Sequence, residues 1–558
     1  MADHRIVDPL VERTRPTRRD VLRYCVGATA MISIPGASNA AVRARSVVVE
    51  SAHGKLRGLA DKGVTAFKGI PYGQSTAGSN RFLPPQRLAP WAGVRDATRL
   101  GHPCLQTNPD FPVWLDPMPG SEDCLALNVW SPASAQPTSK LPVMVWLHGG
   151  GYTFGSAGAP LYDCGNLARI GNIVAVGINH RLQALGYSDV SAHGGPRFAA
   201  SGNAGQLDII AALDWVRTNI AAFGGDPDNV TLFGQSGGGA KISTLMGMPA
   251  STGLFHRAIV QSGSVFRYRS REEAEATSNR MFSILGLRRN DMDALQAVPA
   301  DVLVGCGVQI MNEAAGIGDP SLKYAPVIDC DDFPKEIWHT TAPEGTRSIP
   351  LLLGSTRDET IIYMSDEARK GIADDEALAR AVVDGTPAFE PDKERVAELI
   401  PFYRKAAPDS TNFDLAVQMS TDLSYWKGAV HQAELQSGAG APVFMYRCDW
   451  RTPCFGAKWA PHALEIPFVL GHEYYGSAWD GKDTDQARAE ADPGGARFKL
   501  GNRMLAAWVN FARSGNPSLP DLAWPAYAKK SRSTMIFDRE SKVLDNPRSD
   551  IRTLLRSV

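Results

Sequence analysis

A serine between glycines stands where a strand pattern passes into a helix pattern, within residues 230–240. The G-x-S-x-G pentapeptide at 234–238 has Ser236 at its centre. Small residues two positions before and after the serine allow a strained turn that raises its hydroxyl above a sheet. The positive end of the following helix favours negative charge that develops there. These residues predict a nucleophile. In a chain with 53 glycines, the flanking strand and helix carry more weight than the pentapeptide itself.

A serine hydroxyl needs a base, and that base needs an acid to orient it, in the chain order serine, acid, histidine. Asp358 and Glu359 follow a strand pattern, and the pattern alone does not choose between these two carboxylates. Among the downstream histidines, His431 lies inside a helical pattern and His472 lies beyond the expected site loop. We therefore expect His462, in the loop after the predicted strand at 442–447, to be the base.

A second glycine cluster supplies the expected oxyanion hole of the site. The sequence His-Gly-Gly-Gly at 148–151, called the glycine loop below, follows a buried strand pattern at 141–147. Glycines let the main chain approach a substrate oxygen closely. The N–H groups of Gly150 and Gly151, together with that of Gly237, are therefore predicted to bind the oxyanion that forms when a carbonyl is attacked.

Apolar runs and helical patterns alternate along the chain and would position these residues. Such alternation predicts an α/β fold with a large, mostly parallel sheet covered by helices, and ligands bind at the carboxyl ends of such strands. An antiparallel meander is expected at 46–72, and helical insertions at 270–320 and 365–440 are expected over the site. The predicted strands are 141–147, 172–179, 230–233, 257–263, 348–354 and 442–447, and the predicted helices include 208–223 and 497–513.

Composition restricts the class of protein. The 558 residues are 44% hydrophobic and 21% charged, and the formal net charge is −1. That balance is typical of a globular protein and gives no basic surface for nucleic acid. The sequence has no apolar stretch long enough for a membrane span and no Cys/His cluster with zinc spacing. We expect a small-molecule substrate, no metal and no cofactor.

The first 40 residues predict a targeting segment. Paired arginines at 17–23 precede a short apolar run at 24–34, and small residues at Ser38 and Ala40 suit a cleavage site. This pattern resembles a twin-arginine signal, which predicts a periplasmic or secreted enzyme with one mature domain at 41–558. Of the eight cysteines, seven would remain after cleavage.

Several motifs together resemble the type-B carboxylesterases, the cholinesterase-like branch of the α/β-hydrolases that includes bacterial p-nitrobenzyl esterases. The similarity covers most of residues 46–540. The motifs are at 67–72 (Phe-Lys-Gly-Ile-Pro-Tyr), 122–130 (Glu-Asp-Cys-Leu-Ala-Leu-Asn-Val-Trp), 148–151, 223–227 (Phe-Gly-Gly-Asp-Pro) and 234–238.

The resemblance implies a Ser236, Glu359, His462 triad and so favours Glu359 over its neighbour. It also implies that Ser262 supports the triad from behind. Further implications are a disulfide between Cys104 and Cys124 and a structural ion pair between Arg81 and Glu122.

Two positions bear on the substrate. Gln235 replaces the glutamate that the family usually has before its serine, so a negative charge beside the nucleophile is missing. Trp114 lies ten residues before Cys124, as does the choline-stacking tryptophan of cholinesterases, and a tryptophan face can hold a quaternary ammonium. We expect both residues to contact the substrate, with weak selectivity for cations.

The predicted reaction is hydrolysis of a carboxylic ester through an acyl-enzyme intermediate. The same triad could instead hydrolyse amides or carbamates, and the sequence does not separate these reactions. A third hypothesis is a cholinesterase-like binding module without catalysis, which the presence of all three triad residues opposes.

Overall fold

A thirteen-stranded sheet runs through the part of the chain that the structure, a computed structural model, describes. Its order is β1-β2-β3-β5-β7-β6-β8-β9-β10-β11-β12-β13, with β4 paired to β2. The strands are β1 Arg45–Ser51, β2 Gly54–Asp61, β3 Val64–Pro71, β4 Val94–Asp96, β5 Ala126–Pro132, β6 Leu141–Leu147, β7 Val174–Ile178, β8 Gly225–Gln235, β9 Arg257–Gln261, β10 Leu351–Thr356, β11 Val443–Cys448, β12 Ser533–Phe537 and β13 Lys542–Asp545.

Seven neighbouring strands, from β7 through β6 and β8 to β12, are parallel. The flanking strands pair antiparallel, except β4, which pairs in parallel with β2. The parallel strands are buried on both faces, as their apolar sequences require. In β6, Val143 and Val145 pack into one hydrophobic layer while Met144 and Trp146 pack into the layer on the other side of the sheet. The expected α/β architecture with a mostly parallel sheet is confirmed.

Helices lie before and after most of the parallel strands. They are α1 Gly165–Gly171, α2 Gln183–Tyr187, α3 Ser191–Gly194, α4 Ala204–Asn219, α5 Gly237–Leu245, α6 Arg271–Ile284, α7 Met292–Ala297, α8 Ala300–Ile317, α9 Asp366–Lys370, α10 Asp375–Asp384, α11 Lys393–Ala406, α12 Asn412–Thr421, α13 Lys427–Gly438, α14 Ile466–Leu470, α15 Ala496–Ser514 and α16 Ser549–Leu555. A π-helical turn at Asp422–Trp426 joins α12 to α13. Helices α10, α11 and α12 enclose a separate apolar cluster.

The sequence placed the strands well but missed one at the end of the parallel set. The run at 442–447 was predicted to be the last central strand, and this is wrong, because β12 pairs in parallel with β11 and β13 follows it. β12 is a five-residue strand close to the C-terminus, and all five of its residues are buried. The predicted helix at 497–513 precedes it, but that helix, α15, ends at Ser514, well before the strand begins at Ser533.

The structure describes residues 44–107, 116–264, 266, 268–317, 324–328, 330–333, 337–386, 391–452, 458–472, 490 and 492–555. The predicted signal segment and Trp114 lie outside these residues. Within them, no helix has the length and apolarity that crossing a membrane would require. The same residues contain no group of three or more His, Cys, Asp or Glu side chains that could hold a metal ion.

Candidate active site

Four adjacent parallel strands deliver the predicted site residues to one edge of the sheet. Ser236 follows β8, Ser262 follows β9, Glu359 follows β10, and His462 lies beyond β11. Because the carboxyl ends of parallel strands meet at one edge, residues more than 200 positions apart become neighbours.

The turn around Ser236 explains the glycines of the pentapeptide. Ser236 has a φ of 56° and caps α5, and its N–H donates to the carbonyl of Gln261 at 2.8 Å. A Cβ at Gly234 would lie 2.7 Å from the Leu147 carbonyl oxygen, and a Cβ at Gly238 would overlap that same oxygen. The chain passes so close to β6 that only glycine fits on either side of the serine, which leaves Ser236 partly exposed above the sheet.

Glu359 is fully buried and both of its carboxylate oxygens have partners. Oε1 accepts hydrogen bonds from the Ser262 hydroxyl and from the Thr356 N–H, each at 2.6 Å. Oε2 contacts Nδ1 of His462. The structure thus places Ser262 directly behind the acid, where the family resemblance put it.

The neighbouring carboxylate has a different set of partners. Asp358 Oδ2 accepts hydrogen bonds from Nη2 of Arg357 at 2.7 Å and from the N–H of Ala460 at 2.9 Å. Burial raises the pKa of Asp358, although the guanidinium opposes this effect. The sequence pattern did not choose between these two carboxylates. In the structure Glu359 contacts His462, whereas Asp358 binds the backbone of the loop that carries His462.

His462 is buried between the acid and an amide. The Gln235 amide nitrogen lies 3.1 Å from Nε2 and 3.4 Å from Nδ1 of His462, so it sits over the face of the imidazole and not in line with the Nε2 lone pair. The Tyr425 ring, from the π-helical turn, lies 5.0 Å from the imidazole between ring centroids. Among the described residues the Ser236 hydroxyl has no hydrogen-bond partner.

The other two histidines lie elsewhere. Nε2 of His431 is 2.6 Å from the Trp338 carbonyl oxygen, and Nε2 of His472 is 2.5 Å from the Asp163 carbonyl oxygen. Neither contacts Ser236 or Glu359.

The glycine loop lies against the start of α5. Gly150 and Gly151 have φ values of 85° and 60°, which favour glycine. A Cβ at Gly237 would overlap the backbone of Gly151, so the main chains that carry the predicted oxyanion donors are in contact. The N–H groups of Gly150, Gly151 and Gly237 donate to no described residue. Three backbone donors without a described acceptor therefore lie close together beside Ser236.

One buried acid near the triad was not predicted from the sequence. Glu465 is fully buried, and its Oε1 accepts hydrogen bonds from Nε2 of Gln261 and from the Tyr446 hydroxyl, both at 3.2 Å. Burial and the negative charge of Glu359 raise the pKa of Glu465. Its signal in the sequence is a carboxylate three residues after the predicted base.

The predicted cysteine pair is adjacent but reduced in the structure. Cys104 and Cys124 are buried free thiols, and the hydrogen bond between them is the largest cause of the raised pKa of Cys124. The expected disulfide is thus not formed here. The predicted ion pair is present, because Arg81 binds both carboxylate oxygens of Glu122 at 2.7 Å.

A serine at a strained strand-to-helix turn, with a buried acid and histidine beyond the neighbouring parallel strands, defines an α/β-hydrolase. The chain belongs to the Carboxylesterase family, which it matches over residues 45–552. It is therefore a carboxylic ester hydrolase.

Known relatives cover nearly the whole chain. The para-nitrobenzyl esterase of Bacillus subtilis (strain 168) is 37% identical over 510 residues, which are 91% of this chain and 98% of the relative. A solved PNB esterase structure has a TM-score of 0.78 at 36% identity and covers 91% of this chain and 99% of its own. A Geobacillus stearothermophilus carboxylesterase gives a TM-score of 0.76 at 35% identity, with the same coverage of both chains.

Proposed function

We propose that this enzyme cleaves carboxylic esters through an acyl-enzyme on Ser236, with His462 as general base and Glu359 as the acid that orients it. The observation that supports the proposal most is the buried contact between Glu359 and Nδ1 of His462, with Ser262 and Thr356 holding the other carboxylate oxygen. This arrangement leaves Nε2 of His462 without a proton, as a general base requires.

The first step is attack of the Ser236 oxygen on the ester carbonyl carbon. As the C–O bond forms, His462 Nε2 takes the hydroxyl proton and the imidazolium is stabilised by Glu359. The N–H groups of Gly150, Gly151 and Gly237 would donate to the tetrahedral oxyanion, and loss of one such donor typically costs about 10² to 10³ in rate. The imidazolium then protonates the leaving alcohol, and water repeats the sequence on the acyl-enzyme.

The Gln235 side chain borders the proposed base. Its amide nitrogen lies over the His462 ring, 3.1 Å from Nε2 and 3.4 Å from Nδ1, and does not occupy the in-plane lone pair of Nε2 that the Ser236 hydroxyl has to approach. Catalytic hydrogen bonds often form only when substrate is bound, so we propose that substrate entry brings the hydroxyl to Nε2. We expect the amide, next to the nucleophile, to contact the substrate.

Replacement of the nucleophile tests the proposal. The Bacillus subtilis relative is named for para-nitrobenzyl esters, so p-nitrobenzyl acetate and p-nitrophenyl butyrate are suitable substrates. Ser236→Ala should lose hydrolysis of both and should no longer react with a fluorophosphonate probe, while its melting temperature stays near that of the wild type. Wild-type turnover in this variant would refute the assignment.

We also propose that residues 1–40 direct export and that Cys104 and Cys124 form a disulfide in the exported enzyme. The paired arginines in the sequence support export, and the contact between the two thiols supports pairing. Closing the 19-residue gap between the two cysteines would stabilise the fold by roughly 3 kcal/mol in the loop-entropy account.

N-terminal sequencing of protein recovered outside the cytoplasm tests the cleavage of the predicted signal segment. A mature protein that still begins at Met1 would contradict it. The contact of Trp114 with substrate stays a prediction.

A further inference from the structure

A buried lysine lies directly behind the glycine loop. Lys241 is in α5, five residues after Ser236, and its side chain is fully buried. Nζ donates to the carbonyl oxygen of Gly151 at 2.6 Å and to that of His148 at 3.3 Å. It also lies 5.5 Å from the centroid of the Tyr152 ring. The ammonium is therefore partnered by peptide oxygens and an aromatic face.

The surroundings of Lys241 contain no compensating charge among the described residues. The His148 and His180 rings stack at 4.6 Å, and burial together with the Lys241 charge lowers the pKa of both, that of His148 to about 3. Burial raises the pKa of the Tyr152 phenol to about 12. At neutral pH these three groups are uncharged, and Lys241 forms no ion pair with a described carboxylate.

The two carbonyls that bind Lys241 flank the peptide groups that carry two of the predicted oxyanion donors. The N–H groups of Gly150 and Gly151 belong to two consecutive peptide groups. The carbonyl of His148 belongs to the peptide before them, and the carbonyl of Gly151 belongs to the peptide after them. Both glycines have positive φ and no side chain to restrain them. Lys241 thus restrains this short segment from both sides.

We propose that Lys241 is a positioning residue for ester hydrolysis, which holds the glycine loop so that the Gly150 and Gly151 N–H groups face the oxyanion and which places a positive charge behind them. This inference rests on the proposed function of Ser236. It predicts a loss in kcat with little change in KM, because the oxyanion exists only in the transition state.

The charge gives this role a pH dependence. Burial alone lowers the pKa of Lys241 to about 7. Below that pH the ammonium makes charge-assisted hydrogen bonds to the two carbonyls, and above it the neutral amine makes weaker ones. The advantage of the wild type over a variant without the amine should therefore be largest on the acidic side of pH 7 and shrink as the pH rises.

The test compares Lys241→Met with the wild type on p-nitrophenyl butyrate between pH 6 and 9. At pH 6.5 we expect kcat to fall by about 10-fold to 100-fold and KM to stay within about twofold, and the ratio of the two kcat values to shrink above pH 7. The inhibition constant of a trifluoromethyl ketone, which forms an oxyanion adduct on the serine, should rise by a similar factor. Ile242→Val, a core change on the same helix, is the control for general destabilisation and should keep the wild-type kcat.

A wild-type kcat and an unchanged trifluoromethyl ketone affinity in Lys241→Met at pH 6.5 would overturn the inference. If that variant does not fold, Lys241→Gln replaces it, because an amide is better accommodated beside the two carbonyls, and the same two results are decisive. Ser236→Ala is assayed alongside. An inactive Ser236→Ala together with a fully active lysine variant would refute only the role of Lys241, whereas an active Ser236→Ala would refute the proposed function itself.

Discussion

Replacing Glu359 by glutamine tests how the acid controls the tautomer of His462. The Thr356 N–H, which can only donate, lies 2.6 Å from Oε1. The amide oxygen of the new glutamine must therefore take the Oε1 position, which also keeps the hydrogen bond from Ser262. Its NH₂ group then faces Nδ1 of His462 and donates to it, so the imidazole must carry its proton on Nε2. An imidazole in that tautomer cannot take the proton of Ser236.

The magnitude follows from the loss of the base. A wrong tautomer in a serine triad reduces kcat by about 10⁴, and each decade corresponds to about 1.36 kcal/mol, so the transition state loses about 5.4 kcal/mol. We expect Glu359→Gln to show this loss on p-nitrophenyl butyrate. The KM should change little, because substrate binding does not require the proton transfer. Circular dichroism should give an unchanged fold, since both donors to Oε1 keep an acceptor.

The matched control is Asp358→Asn, one residue earlier and equally buried. Its Oδ2 accepts from Arg357 and from the Ala460 N–H but does not contact His462. Loss of the charge weakens these bonds, which are worth about 1.5–3 kcal/mol, so the melting temperature should fall while kcat stays within about threefold. If Asp358→Asn lost 10⁴ in kcat and Glu359→Gln stayed within tenfold of the wild type, the assignment of the acid would be refuted.

Three further predictions follow from single contacts. Ser262→Ala should lower kcat about tenfold, because Glu359 keeps its backbone donor; an unchanged kcat would assign Ser262 a purely structural role. Gln235→Glu should raise kcat/KM for butyrylcholine about tenfold relative to its neutral 3,3-dimethylbutyl analogue, since a carboxylate attracts the cation. If the substitution changed kcat/KM equally for the two esters, Gln235 would not line the part of the site that binds the alcohol group. If Cys104 and Cys124 pair, the denatured mature enzyme should have five reactive thiols by titration without reductant, whereas seven would contradict the disulfide.

Much of the site could be predicted from the sequence because its parts are local. The glycines around Ser236 and the glycine loop each follow a buried strand within a few residues, so their place at the sheet edge follows from the strand pattern alone. The acid was harder. Asp358 and Glu359 are adjacent at a strand end, and only the family resemblance chose between them. In the structure, Glu359 is the one that contacts His462.

The features that were missed depend on distant contacts. Glu465 is held by Gln261 and Tyr446, from two different strands, and no local pattern indicates that these side chains meet. Lys241 reads as a polar position of a helix, and only the packing of α5 under the glycine loop shows that it is buried. Tyr425 reaches His462 from a π-helical turn, which has no distinct sequence pattern. The five-residue strand β12 was missed because it is short and begins well beyond the predicted helix at 497–513 that precedes it.

The residue before Ser236 sets the charge beside the proposed base. The Gln235 amide nitrogen lies over the His462 ring, 3.1 Å from Nε2 and 3.4 Å from Nδ1, so it leaves the in-plane lone pair of Nε2 to the Ser236 hydroxyl. A glutamate at this position would be ionised and would stabilise the imidazolium, whereas the neutral amide adds no charge. A neutral contact of this kind contributes about 0.5–1.5 kcal/mol net, which is a factor of about tenfold at most. That factor is small beside the 10⁴ expected from the tautomer, so a change at Gln235 should cost far less in kcat than loss of the acid proposed at Glu359.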